Sequence, residues 1–215
     1  MRRTVSTAVR SPAQQGHFPS WVRWACILWI AVWVPAYWAT YGWANFLHLC
    51  DIAVILTCIG LWRTDALLLS SQAVGSLLSD PLWALDVAWR LIFGHHLVGG
   101  TQYMWNPSFP LWVRLLSLFH IVLPVVLVWS LHRTGYDRRG WAVQSSIAGL
   151  VLVASRFLSP TLNINFAYRD PLLHRAWGPA PVHLAFMLVV LAVVFYLPVH
   201  WALSHIFPPA AAPVN

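Results

Sequence analysis

Asn45, His48, Cys50 and Asp51 stand at the head of an apolar run that continues through Ala53, Val54, Ile55 and Leu56 to Leu61-Trp62. A charge in such a segment costs several kcal/mol if lipid surrounds it, so ionisable residues there are normally paired and mark functional sites. His48 and Asp51 are three apart and share a face on a helix. That pair could handle a proton or orient a substrate, or it could be a buried hydrogen bond that fixes helix packing. Cys50 with His120 offers thiol–imidazole covalent catalysis, although a lone Cys is also a small buried hydrophobe. On a continuous helix, residue 50 is rotated about 200° from His48 and about 100° from Asp51. Cys50 and the His48 face therefore compete for one cavity unless the helix is unwound there.

Other residues extend the constellation. His120 has Ser117 one turn before it and Pro124 one turn after, and is the leading catalytic candidate on its helix. Asp86 and Arg90 are four apart, the spacing of an ion pair. Asp80 precedes Pro81, where a kink frees a carbonyl, or it caps a second half-helix. A thiol nucleophile in a low-dielectric site needs a cation beside it, and Arg114 is the candidate. His48 and His120 could clamp a haem, but no second pair supports it. His95 and His96 are adjacent and diverge, which makes a poor metal pair. No phosphate loop, zinc spacing or Gly-x-Ser-x-Gly elbow occurs. No metal or cofactor is expected.

The elements that must position these residues are set by composition. Of 215 residues, 59% are hydrophobic and only 9% charged, with a mean hydropathy of +0.64. Soluble domains carry about a quarter charged residues, so this chain is built for lipid, and its 15 Trp suit the water–lipid boundary. The formal charge of +7 does not suggest nucleic acid, because the arginines are scattered between apolar runs. Cys26, Cys50 and Cys58 all lie in apolar segments, and Cys50 and Cys58 are about 12 Å of helix rise apart, so no disulfide framework is implied.

Residues 1–20 read as a basic, irregular tail. Arg2-Arg3 hints at a twin-arginine signal, but the stretch 21–42 lacks a small-residue cleavage site and reads as a retained first helix. Five more spans are expected at about 44–62, 65–94 (kinked at Pro81), 109–131, 140–158 and 181–207, each long enough against roughly 20 residues per crossing. The fold class is therefore all-α, a six-span membrane bundle over residues 21–207, with a loose Pro/Ala-rich tail from Pro208. No internal repeat is found.

Placing Arg2, Arg3, Arg10, Arg23, Arg63, Arg133, Arg138 and Arg139 on one side makes that side cytoplasmic, with both termini. The two longer connections, 95–108 and 159–180, then face outward, where loops that do more than connect belong. Asn163, Asn165 and Arg169 lie in the second. Helix rise puts Asp51 about 10 Å, Asp86 about 12 Å and His120 about 16 Å below the outer helix ends, with Arg90, Arg114 and Arg156 above them. One outward-facing polar cavity is expected, with Asn45, His48, Asp80 and the two loop asparagines in its wall.

In order along residues 42–200, His48-Leu-Cys50-Asp51-Ile-Ala53, Phe119-His120, Asn163-Ile-Asn165-Phe166 with Asp170-Pro171, Gly178-Pro-Ala-Pro181 and Tyr196-Leu-Pro198 stand as separate short pieces. Together they resemble the YwaF-like group of bacterial six-helix integral membrane proteins, which is distantly similar to a eukaryotic transmembrane lipid acyltransferase. The resemblance implies a six-helix fold in a bacterial plasma membrane, an outward polar site, and acyl chemistry on membrane lipids using Cys50 with His120. Asp51 and His48 would orient, and Asn165 and Arg169 would engage a headgroup. The competing expectations are a proton-coupled carrier using Asp51, Asp86 and His120, and a non-catalytic scaffold.

Overall fold

The computed structural model describes residues 18–210. The expected N-terminal tail and the last part of the expected C-terminal tail lie outside the described residues, at 1–17 and 211–215. Six helices carry the described chain: α1 Ser20–Tyr41, α2 Leu49–Arg63, α3 Ala66–Phe93, α4 Leu111–Thr134, α5 Gly140–Ser155 and α6 Ala180–Ile206. Among the described residues there is no sheet, only an isolated bridge between Tyr136 and Pro209. The all-α expectation is met. Three of the six helices, α1, α4 and α6, are long and apolar enough to cross a membrane by length and composition, and α5 is a shorter apolar helix.

α2 and α3 show why the other expected crossings are less plain. The chain does not enter α2 at residue 44. Gly42, at φ 82°, ends α1, Trp43–Leu47 forms a 3-10 turn, His48 is extended, and α2 begins at Leu49. α3 is long but inverted in polarity. Its buried residues include Ser70, Ser71, Gln72, Ser76, Asp80 and Asp86 beside Leu69, Ala73 and Val74. It packs against α2, α4, α5 and α6 and is the central helix. Apolar side chains meanwhile line the exterior, as with Val125 on α4, Leu150 on α5 and Val189 on α6. So large an exposed apolar surface is foreign to a soluble monomer.

Short turns and small residues bring the helices together. Thr64 ends α2 in the left-handed region, and the Asp65 carboxylate caps α3 by accepting the Leu68 N–H at 3.0 Å. A Cβ on Gly60 would meet Leu69 at 3.0 Å, and one on Gly140 would sit 2.9 Å from the Ser70 backbone. Small residues let helix backbones approach this closely. Prolines shape three helices further. α3 runs through Pro81 as one helix, so Asp80 is no cap. α4 tightens at Ser117-Leu118, and Pro124 has no N–H for the His120 carbonyl. α6 widens into a π-helix over Val190–Tyr196 just before Pro198, and the Ala192 carbonyl there accepts the Leu197 N–H and the Trp141 indole.

The bundle has two unlike ends. One, the turn end, carries residues 64–65 and 135–139. There the Tyr136 N–H donates to the Pro208 carbonyl at 2.8 Å and Ala210 N–H to the Tyr136 carbonyl at 3.1 Å. The tail expected to be loose from Pro208 is thus held as far as Ala210. Phe18 is likewise buried, against Trp129. The other end carries the loops 94–110 and 156–179, and the 3-10 turn Trp43–Leu47.

Candidate functional site

The start of α2 is spliced to the last loop by one amide. Asn165, itself left-handed at φ 52°, accepts the Leu49 N–H at 3.0 Å and donates to the Leu47 carbonyl at 2.6 Å and the Ser155 hydroxyl at 3.1 Å. It supplies an acceptor to a helix N-terminus that the helix itself cannot satisfy. Asp51 falls in the first turn of α2, where the helix dipole favours a carboxylate. Its partner is the Asn45 amide, at 2.6 Å, rather than His48. Because His48 is extended, the helical rotation that set His48 against Cys50 does not apply. The Cys50 thiol lies 4.0 Å from Asp51 Oδ1.

α3 and α4 supply the facing wall. His120 Nδ1 donates to the Ser117 carbonyl at 2.8 Å, which leaves Nε2 as the free nitrogen of the neutral ring. The imidazole is stacked on Trp83 at 4.3 Å and on Phe119 at 4.1 Å. Ser117 hydroxyl bonds the Tyr37 phenol at 2.5 Å. Tyr103, half-buried, reaches in from the loop above. Burial pushes its phenol well above the ordinary value, Tyr37 and Cys50 add to the rise, and Ser117 and Trp83 oppose it. Asp80 lies beside the hydroxyls of Ser76 and Ser79, and within Coulomb reach of Cys50. Asn45, His48, Cys50, Asp51, Asp80, His120 and Asn165 therefore gather at the loop end of the bundle. Tyr37 of α1, Tyr103 of the loop above and Trp83 of α3 join them unannounced by any spacing in the sequence, together with Ser117, the residue one turn before His120.

The remaining predicted residues build the loops. Asp86 does not pair with Arg90. Its Oδ1 accepts the N–H groups of Leu97 at 2.8 Å, Val98 at 2.7 Å and Gly99 at 3.1 Å, and its Oδ2 takes His96 Nδ1 at 3.0 Å and the Thr101 hydroxyl. Five donors from the following loop outcompete one arginine, and Arg90 lies over Trp105 instead. Arg114 is turned to the Met104 carbonyl at 2.6 Å, and the charged groups acting on Cys50 are Asp51 and Asp80. Asn163, left-handed at φ 42°, holds the Tyr168 and Arg169 N–H groups and the Arg169 carbonyl, while the Arg169 side chain is exposed.

Two further residues, neither of them an expected site residue, anchor the last loop. Asp170 accepts N–H groups from Leu172, Leu173 and Arg175. Burial opposes them, but together they hold its carboxyl below the ordinary value. His183, 1% exposed, donates from Nε2 to the Phe166 carbonyl at 2.9 Å and accepts the Trp177 N–H at 3.2 Å. The cue was a His in the first turn behind Gly178-Pro179-Ala180-Pro181.

Among the described residues, no three His, Cys, Asp or Glu side chains are grouped to hold a metal. Two apolar surface grooves, of about 420 and 470 Å³, run along Trp38–Trp43–Phe46 and Leu152–Leu184–Leu188, and no predicted site residue lines either. Comparison with family models, with curated proteins and with solved structures finds no match to this chain.

Proposed function

We propose that this chain is an integral membrane protein that crosses six times with both ends cytoplasmic, and that its loop-end cluster exchanges protons for a proton-coupled carrier of a small polar solute. The carrying observation is that Asp51 and Asp80 are each no more than 2% exposed and, among the described residues, neither makes an ion pair. Intramembrane Asp and His groups of this kind are the parts of proton relays. The apolar exterior and the inverted polarity of α3 support the six crossings. The arginines support the orientation, because Arg63, Arg138 and Arg139 are exposed or half-exposed at the turn end, whereas Arg90, Arg114 and Arg156 fold back onto Trp105, Met104 and Ala167. The partial resemblance to the YwaF-like group fits the helix count.

Lipid acyl transfer is the second reading, favoured by the free Nε2 of His120. A thiolate at Cys50 would need a cation, and two carboxylates stand there instead, which is why it ranks second.

Difference infrared spectra of the protein in lipid nanodiscs, recorded across the pH range in which it stays folded, test the first reading. A carboxyl band that titrates and is removed by Asp80→Asn or Asp51→Asn, but not by Asp137→Asn, is expected. A spectrum in which neither Asp80→Asn nor Asp51→Asn removes a titrating band sinks it. Altered lipid species in total extracts of Cys50→Ala and His120→Ala cells would instead promote the acyl-transfer reading.

A further inference from the structure

We infer that a hydrated polar seam runs from the loop-end cluster down the centre of the bundle to the turn end, so that water and protons reach Asp80 from the cytoplasmic side as well. Its use in proton exchange rests on the function proposed above; its existence does not. Gln72, Ser76 and Asp80 succeed one another at one helical turn each on α3, about 12 Å of rise in all, and each is 1% exposed. The antiparallel packing of Gly60 on Leu69 sets Thr57 of α2 level with Gln72, and Cys50 level with Asp80. From α5, Gln144 lies over Gly75, where a Cβ would meet its Nε2 at 2.5 Å, and Tyr196 of α6 stands beside it. The seam continues through Ser71 and Ser70, whose hydroxyl accepts the Asp137 N–H at 2.9 Å at the turn end.

The unsatisfied groups point to the occupant. Asp80 Oδ2, Gln72 Oε1, Gln144 Oε1 and Thr57 Oγ1 are buried with no protein partner. An oxygen left unpaired in a lipid-embedded core costs several kcal/mol, and buried waters characteristically satisfy such groups with about three hydrogen bonds each. The two amide oxygens can only accept, as does Asp80 Oδ2 whenever its carboxyl is ionised, so the ligand must donate. Water and hydronium do so. Helix packing alone does not account for these four oxygens, because groups retained only as interhelical links would each have a protein partner.

The test places single cysteines in the full-length protein, in proteoliposomes, with Cys26, Cys50 and Cys58 replaced by Ser. Silver ion, a small thiol-binding cation that travels hydrated, is added from the turn-end side. Thiols it has reached are then protected from maleimide after denaturation, as read by mass. Gln72→Cys and Ser76→Cys are expected to be protected at least tenfold faster than Leu69→Cys, which sits on the same helix at 0% exposure; tenfold is about 1.4 kcal/mol in barrier. Equal rates at all three overturn the seam.

A measurement without mutation guards against misfolded variants. In water-radiolysis footprinting of the wild type, Tyr196 should be oxidised well above Trp33, although both are buried. Oxidation of Tyr196 no faster than Trp33 overturns the seam too. A titrating Asp80 above a dry seam removes this inference and leaves the proposed function; a wet seam below an Asp80 and an Asp51 that are both silent does the reverse.

Discussion

Asn165 shows how one side chain can decide a site. It closes two hydrogen bonds to residues 116 and 118 positions away in sequence and a third to Ser155. Each buried group left unpaired costs about 1–3 kcal/mol, so Asn165→Ala should destabilise the protein by about 2–4 kcal/mol in a detergent unfolding assay. A loss indistinguishable from that of Arg169→Ala, an exposed site, would show the splice to be idle. Asp170 is the pH-sensitive counterpart. Its carboxyl is held below the ordinary value of about 3.9, so its contribution is complete above that pH and is lost as pH falls through the lower folded value. The amides of Leu172, Leu173 and Arg175 should lose hydrogen-exchange protection in acid in the wild type. Asp170→Asn should show the loss already at neutral pH. Protection that does not change with acid contradicts the assignment.

At the scale of elements, α3 is held by close backbone approach as well as by apolar packing of Leu69, Ala73 and Val74. Gly140→Ala would drive a Cβ to 2.9 Å from the Ser70 backbone, and overpacking of this kind costs about 1–3 kcal/mol. Gly149, whose Cβ would meet only Leu188 at 3.4 Å, should accept Ala with a change between zero and a stabilisation of about 1 kcal/mol, because Ala is the better helix former. Thermal unfolding of the two variants side by side checks the contrast, and equal effects refute it. Helix existence was legible in the apolar runs, whose ends agree with the structure to within a few residues at α1, α3, α5 and α6. The start of α2 was not. Trp43–Leu47 is as apolar as the helix that follows, so nothing in its composition marks the unwinding, which is set by Gly42 and by the pull of Asn165 from a distant loop.

For the whole molecule, the orientation has a direct check. Arg139→Cys should react with an impermeant maleimide only from the cytoplasmic side of intact cells, and Arg169→Cys only from the outer side. Labelling of both from one side would break the six-crossing topology. Hydropathy favours α1, α4 and α6 as crossings because they face outward, and passes over α3 because its polar residues are turned inward. The first half of α3, enclosed from Leu69 to Val74, has no need of an apolar surface, whereas Leu85, Leu91 and Ile92 in its second half are exposed.

Apolar run length and helix rise along one chain are enough to give the all-α class and six helices, three of them long and apolar enough to cross a membrane. The hydrogen-bond partners were set by the fold. Asp86 goes to the loop beyond it and not to Arg90, Asp51 to Asn45 and not to His48, and Arg114 away from Cys50. Sequence spacing describes neighbours on one helix, but a hydrogen bond goes to the strongest donor within about 3 Å, and here that donor came mostly from a neighbouring loop or another segment.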